Sequence, residues 1–525
     1  MKQAVILLLS FCVLMGAHAQ ISGSLDATFG ANGKVITSFA RGHDQARAVL
    51  VQADGKIVAA GLTRPDSNIS RYNMALARYN TDGTLDNTFG TNGKVTTAFG
   101  QFSEIQAMTL QNDGKIVAVG YTSDSTYRGS FAVVRYWPNG ALDTTFGNKG
   151  KVYTSFGTYA SWASAIAVQA DGKIVVAGTH YAFTGSNYNG FVAIARYSTT
   201  GVLDTTFNKT GKITKDIHDW YHDLPKSIAL QADNKIVICG DSESPYNNGI
   251  DVIDPFDMFI MRYNVSGSLD SSFSNKGIFI EEEAQACAVK ILSNEKLLVG
   301  GNMDWGNHNF QLRRFNANGS VDATFNFDAP TNGTATDMLV QRDGKIILVG
   351  SDYNWTTNAL DFILFRCHAD GGLDNTFGTN GKVVTPLTLL YERYGKIAQQ
   401  SDGKILACGY SKIAGQFNFN VIRYNNTLGN VGTKAIAAAT TPLMVYPNPM
   451  QNTVTVALKD VSLTINAPLR VRLVDVAGRV VLNNTFDAQL INDKLPLDVT
   501  HLATGAYILE VTSADKRWTQ LMCKQ

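Results

Sequence analysis

Acids and imidazoles are the residues of this chain best suited to chemistry. Aspartate recurs at Asp26, Asp86, Asp143, Asp204, Asp270, Asp322 and Asp374, and a set of carboxylates at matching positions could ligate calcium. Each stands in one local context, L-D-x-T-F or a close variant. In that context the side chain bonds its own backbone within a turn, while the neighbouring Leu and Phe anchor the loop. No D-x-[DN]-x-[DN]-G loop surrounds any of them. His218 and His222 in HDWYHDL, with Asp219 and Asp223 beside them, come nearest to a metal pair. Four-residue spacing puts two imidazoles on one face only in a helix, and Pro225 follows at once, so the stretch reads as a solvated loop or a ligand contact. The chain has no G-x-S-x-G elbow, H-E-x-x-H, Walker loop or G-x-G-x-x-G after a strand. The expectation is therefore no catalytic residue, no metal site and no cofactor.

The elements that hold these residues repeat with a period near sixty. L-D-x-T-F ends at Phe29, Phe89, Phe146, Phe207, Phe273, Phe325 and Phe377. D-G-K-I begins at Asp54, Asp113, Asp171, Asp343 and Asp402, weakened to DNKI at Asp233 and NEKL at Asn294. An apolar run ends in arginine at Arg78, Arg135, Arg196, Arg262, Arg314, Arg366 and Arg423. Each unit parses into four strands, A to D: ARAVLVQ, a two-residue Asp-Gly turn, KIVAAG, a variable loop, MALARYN, a turn built on DGTLDNTFGTNG, and GKVTTAF. Seven four-stranded units predict an all-β fold, a seven-bladed β-propeller whose radial closure leaves only short edges. The order of pieces supports closure. A strand D (Gly33 to Phe39) precedes any A, B or C, and the last repeat stops after strand C at Arg423-Tyr424, so the first strand can complete the last blade.

DGKIVAAG, FAVVRYWPNGALDTTFG and GKV make these units resemble the bacterial delta-60 repeat family over Ser22 to Asn426. The resemblance implies a propeller-like fold and no settled activity. Repeats five and six depart from it, with Asn294-Glu295 for Asp-Gly and Asn326-Phe327-Asp328 for Gly-x-x-Gly-Lys.

Both ends carry routing information. MKQAVILLLSFCVLMGAHAQ has a charged start at Lys2, an apolar stretch from Ala4 to Gly16 and an A-x-A site at Ala17-His18-Ala19, so residues 1–19 read as a signal peptide. Nothing later is long and apolar enough for a membrane helix, and no membrane span is expected. Residues 20–431 form the repeat domain, and 432–442 (GTKAIAAATTP from Gly432) have the composition of a linker. Residues 443–525 hold short alternating strands, the pattern of a small Ig-like β-sandwich. Three of its segments resemble the type A C-terminal sorting domain of the type IX secretion system: Tyr446-Pro447-Asn448-Pro449, Asp475 to Val480 with Gly478, and Leu502 to Leu509 with Gly505 and Tyr507. That resemblance implies the type IX machinery as partner and a secreted or outer-surface location in a Gram-negative bacterium.

Lys plus Arg number 45 against 44 Asp plus Glu, so no net field recruits nucleic acid or anionic lipid. Cys239, Cys287, Cys367, Cys408 and Cys523 lack CxxC spacing, and Cys239 and Cys408 fill positions held elsewhere by Ala or Val, as small buried hydrophobes do.

In a four-stranded blade the A-B and C-D turns share one face of the disc and the B-C and D-A loops the other. The first face is regular here and the second variable. On the variable side fall Trp162, Trp220, Trp305 and Trp355, with Tyr181, Tyr221, His218 and His222. Two readings follow: a surface for an extracellular glycan or protein ligand, or long loops packing their own aromatics onto the disc. The leading expectation is a non-catalytic binding module. The alternative is a propeller-based hydrolase or lyase acting on an extracellular polymer, with acids from separate blades.

Overall fold

The computed structural model describes residues 22–39, 43–64, 71–124, 128–184, 187–218, 221–243, 256–303, 309–327, 333–354, 356, 359–386, 393–413, 415–426, 443–447, 450, 452–458, 469–475, 480–486, 494–500, 502–503, 505–513 and 516–524. Every regular element among them is a strand, and among these described residues no helix is long and apolar enough to cross a membrane. The chain divides into two compact units, Met1–Gly429 and Asn430–Gln525.

The first unit is a β-propeller of seven sheets. Blade 1 comprises Asp44–Val51, Ile57–Thr63, Asn73–Tyr79 and Lys94–Thr97. Blade 2 comprises Phe102–Leu110, Ile116–Ser123, Gly129–Tyr136 and Lys151–Thr154. Blade 3 comprises Ser161–Val168, Ile174–Thr184, Asn187–Tyr197 and Lys212–Lys215. Blade 4 comprises Asp223–Leu230, Ile236–Glu243, Phe256–Tyr263 and Ile278–Glu281. Blade 5 has Ala284–Ile291, Leu297–Met303 and Asn309–Phe315; blade 6 has Thr334–Val340, Ile346–Asn354, Ala359–Cys367 and Lys382–Pro386. Blade 7 joins Arg393–Gln399, Ile405–Ile413 and Gln416–Tyr424 to the N-terminal strand Lys34–Thr37. Lys34 pairs with Ile422 and Thr37 with Phe419, so one sheet unites the two ends of the repeat region.

Strand composition follows position. Strand A of blade 1 alternates buried and half-buried residues, as the edge strand of its sheet. Strand B is buried throughout, since neighbouring blades cover both of its faces, and its sequence is accordingly a continuous apolar run. Blade 5 has three strands among the described residues, where four were expected. Gly93 and Gly150 sit at φ 82° and 89° in the turns leading to strand D of their blades, and Asn326-Phe327 replaces this turn after blade 5.

Apolar clusters form between each pair of consecutive blades. Between blades 1 and 2, Leu50, Val58 and Leu76 meet Ile105, Ile116 and Ala118 around Phe89. Between blades 7 and 1, Leu406, Phe419 and Val421 meet Ala46 and Ile57 around Phe29. Every L-D-x-T-F phenylalanine enters such a wedge, and burying one ring contributes about 1.5 to 3 kcal/mol. Cys239, Cys287, Cys367 and Cys408 are buried free thiols, and Cys523 is an exposed one.

The second unit has two sheets. Leu443–Tyr446, Thr453–Leu458 and Lys494–Asp498 form one. Leu469–Asp475, Val480–Phe486, Gly505–Ser513 and Lys516–Lys524 form the other. Val454, Val456 and Leu497 from the first share a single core with Leu469, Val471, Leu473, Leu509 and Met522 from the second.

Candidate binding cleft on the variable face

The recurring acids are structural. In each blade Asp Oδ1 accepts the backbone N–H and the hydroxyl of the Thr or Ser two residues on, as Thr88 does with Asp86. The turn expected from the sequence is therefore present, and a further feature was not foreseen. The Oδ2 atom lies 2.6 to 2.9 Å from the strand C arginine. It also lies 2.7 to 3.5 Å from the lysine of the D-G-K-I turn. Each guanidinium covers the L-D-x-T-F phenylalanine at 4.4 to 4.8 Å. Its Nη1 donates into the next blade: Arg135 to the Thr199 carbonyl and Arg196 to the Val265 carbonyl, both at 2.5 Å. Arg423 of blade 7 donates likewise to Thr81 of blade 1. Burial raises the Asp26 carboxyl, but hydrogen bonds from Thr28 and Lys404 and the charge of Arg423 outweigh it and hold the group at about 2. Three separate repeat marks thus converge on one ion-paired node per blade.

The opposite face is unequal. In every blade strand A carries a register shift against strand B, at Ala46/Ala48, Ile105/Ala107, Ala163/Ala165, Pro225/Ser227, Ala286/Ala288, Ala335/Asp337 and Tyr394/Lys396. The extra residue of such a bulge is unpaired in the ladder and re-aimed. Those residues are Arg47, Gln106, Ser164, Lys226, Cys287, Thr336 and Gly395, and together they line a hollow of about 570 Å³. Sequence reasoning missed them. The available signal was one position of strand A that holds a different residue in each of the seven repeats, beside at least one alanine in five of them.

Arg47, Gln106, Ser164 and Lys226 also wall an adjoining cleft of about 700 Å³. One flank is aromatic. Trp162, 47% exposed, lies with its ring centroid 5.6 Å from Tyr121 and 5.3 Å from Tyr181. Tyr181 stacks on Tyr188 at 5.2 Å and 8°, and His222 meets the Tyr181 edge at 5.4 Å. On the other flank stand His43 and Phe417, 5.0 Å apart, and Arg64 over the Tyr72 ring at 4.8 Å. Glu104 lies 3.6 Å from Arg47 and accepts a hydrogen bond from Gln106. Burial pushes the Glu104 carboxyl up, against the charge of Arg47. In the adjoining hollow Asp241 lies 3.6 Å from Lys226, and burial raises its carboxyl to about 6.

Of the expected ligand contacts, Trp162, Tyr181 and His222 come together here. Trp162 and Tyr181 are strand residues rather than loop residues. The blade 3 hairpin extends to Thr184↔Asn187, with Phe183 facing Tyr188 across the ladder, and aromatic cross-strand pairs stabilise such an extension. Tyr221 is half-buried and offers its carbonyl to Gly190 N at 3.2 Å. His218 points elsewhere, with Nδ1 3.1 Å from Ser242 Oγ, so the two imidazoles do not converge. No group of three His, Cys, Asp or Glu among the described residues could hold a metal. Trp220, Trp305 and Trp355 lie outside the described residues.

In the second unit Tyr446 ends its strand exposed, Asp475 ends another buried, and Gly505 opens the strand in which Tyr507 is buried with its hydroxyl donating to the Ala503 carbonyl at 2.7 Å. Pro447 follows Tyr446, whereas Asn448, Pro449 and Gly478 lie outside the described residues.

Seven radial sheets joined by inter-blade latches define a repeat β-propeller. The chain belongs to the family described as "Domain of unknown function (DUF5122) beta-propeller", matched at residues 52–89, 111–146, 169–207, 231–273, 292–325, 341–377 and 400–427. Residues 444–525 match the "Secretion system C-terminal sorting domain". That tail marks the protein for type IX export to the cell surface or the extracellular space, and it identifies the secretion machinery as a partner. No curated protein matches the sequence significantly. Among solved structures, a PL25 ulvan lyase is similar at 12% identity over 75% of this chain and 96% of its own, with TM-score 0.45. A GH93 α-L-arabinofuranosidase of Fusarium graminearum is similar at 8% identity, 74% and 96% coverage and TM-score 0.39. The β-propeller domain of the Trilobed protease from Pyrococcus furiosus is similar at 9% identity, 77% and 100% coverage and TM-score 0.37.

Proposed function

We propose that this protein is a non-catalytic binding module that takes an extracellular glycan or protein ligand in the cleft of its variable face. The observation carrying this reading is the aromatic flank of that cleft, where a half-exposed Trp162 stands against Tyr121 and Tyr181. Rings of this kind offer large apolar contact area at low entropic cost, beside polar groups that fix orientation. In this reading residues 1–19 are a signal peptide that takes the chain across the inner membrane. Residues 20–431 are the cargo, and 443–525, joined to it by 432–442, are read by the type IX machinery.

The test is a glycan array and a surface-protein screen with the full exported chain, wild type beside Trp162→Ala. A contact residue truncated at a binding hot spot costs about 2 kcal/mol, roughly thirtyfold in affinity. Because the ring is half exposed, the melting temperature should change little. Lowered melting temperature with no ligand found, or with binding intact, would return these aromatics to packing.

A second reading, a hydrolase or lyase on an extracellular polymer, draws on Glu104. Its carboxyl is raised by burial, as a general acid requires. Glycoside hydrolysis ordinarily needs a second carboxylate across the bond, and Glu104 is the one acid lining the cleft among the described residues. Release of new reducing ends or unsaturated sugars from any array hit, lost in Glu104→Gln, would establish it.

A further inference from the structure

We propose that the ligand of the cleft is an anionic saccharide, a sugar chain bearing carboxylate or sulfate groups, bound by Arg64 and Arg47 beside the Trp162 platform. The proposal rests on the cleft being the binding site and adds the class of ligand.

The chain as a whole is balanced, at a formal charge of +1. The cleft is not: Arg47, Arg64 and Lys226 line it against the single carboxylate of Glu104. Lys226 is countered from the adjoining hollow by Asp241 at 3.6 Å, and Arg47 in part by Glu104 at 3.6 Å. Arg64 has no ion pair among the described residues. In this it differs from the strand C arginines of all the blades, each of which holds an aspartate within 3 Å. Arg64 is nevertheless held in place. Its Nη2 donates to Tyr72 Oη at 2.5 Å and its guanidinium covers that ring. The Nε atoms of Arg64 and Arg47 are both buried with no acceptor among the described residues. A guanidinium fixed by stacking, and without an ion pair among the described residues, suits the two oxygens of a carboxylate or sulfate, which it binds with a planar fork. Burial and the charge of Arg64 hold the His43 imidazole below its ordinary range, so His43 does not add to the cationic flank at neutral pH. The aromatic flank suits the faces of sugar rings, and the exported location places the cleft among extracellular polymers.

The experiment uses the full exported chain and matched probes: tetragalacturonate beside its methyl ester, and sulfated beside unsulfated dextran oligosaccharide, with oligodeoxythymidylate as a non-saccharide polyanion. Titrations at low and high salt should show at least one acidic sugar binding about tenfold tighter than its neutral twin, with the gap narrowing in salt. The uronate and sulfate arms separate the two sources of charge. Arg64→Gln should close the gap and Arg64→Lys restore part of it. Should Arg64→Gln unfold, Tyr72→Phe loosens the same guanidinium and should narrow the gap with the fold kept. Equal binding of acidic and neutral twins, lost in Trp162→Ala, overturns this inference and leaves the cleft as the binding site. Tighter binding of the oligonucleotide also overturns it. Binding of none of these probes overturns it as well, and the array and protein screen then decide the reading of the cleft on their own.

Discussion

Arg366 and Asp374 are both about 1% exposed and 2.8 Å apart, which makes them the most deeply buried of the blade nodes. Desolvating two charges costs several kcal/mol per ion, and only good geometry with further hydrogen bonds offsets it. Here Arg366 also donates to Ser22 Oγ at 3.0 Å, to Asn426 and to Thr376 Oγ1. Removing one partner leaves the other charge uncompensated. Arg366→Met should therefore destabilise the propeller by about 3 kcal/mol, the low end of the usual range because Lys345 stays 2.7 Å from Asp374. Adding Asp374→Asn should recover part of that loss in denaturant melts. Additive losses would mean that the pair is not coupled. The Asp-to-backbone half of this node was legible in L-D-x-T-F, since an Asx turn is local chemistry. The ion pair was not. Asp374, Arg366 and Lys345 belong to three different repeat marks, and a common period does not say which marks meet in space.

Strands and hairpins were read well where their signal is local, as in the alternation of ARAVLVQ and the Asp-Gly turns. The bulge in strand A is a mismatch between two strands and leaves no trace in the periodicity of either. Its footprint is the glycine closing KIVAAG and its equivalents. At Gly178 a Cβ would clash with the Trp162 carbonyl oxygen and with the Ala163 backbone, so only glycine lets the bulged strand lie this close. Gly178→Ala should push Ser161–Val168 outward, moving both Trp162 and the bulge residue Ser164. The expected result is a lowered melting temperature and weakened cleft binding, with Trp162 fluorescence shifted. Gly61→Ala in blade 1 meets the same kind of clash against the Gln45 carbonyl and should cost comparable stability with a smaller change in Trp162 fluorescence. Equal spectral shifts in both would mean that the glycine does not act on the tryptophan through its own blade. The aromatics of blade 3 were placed in loops because long B-C segments carry no alternation strong enough to reveal how far the Ile174–Thr184 and Asn187–Tyr197 strands continue.

A ring of seven sheets stands or fails at the joint where its two ends meet. Each other blade is closed by chain continuity, whereas blade 7 is closed by the strand Lys34–Thr37 lying along Gln416–Tyr424. The same N-terminal stretch supplies Asp26, which Arg423 and Lys404 hold at 2.8 and 3.1 Å. It supplies Phe29 to the cluster between blades 7 and 1, and Thr37 Oγ1 to the Tyr79 hydroxyl of blade 1 at 2.9 Å. The order of repeat fragments announced this joint in the sequence, because a strand D stood with no blade of its own. Deleting residues 22–39 removes the outer strand, the node acid and the wedge phenylalanine together, and exposes an unpaired edge. The deletion should lower the melting temperature by roughly 10 °C or more and open blade 7 to limited proteolysis ahead of the other blades. If the deleted chain is not recovered folded, Asp26→Asn with Phe29→Ala tests the same joint in the intact chain and should direct the first cleavage to the same blade. First cleavage at blade 5, the one with three described strands, would place the weakest point of the ring there and remove the joint from that role.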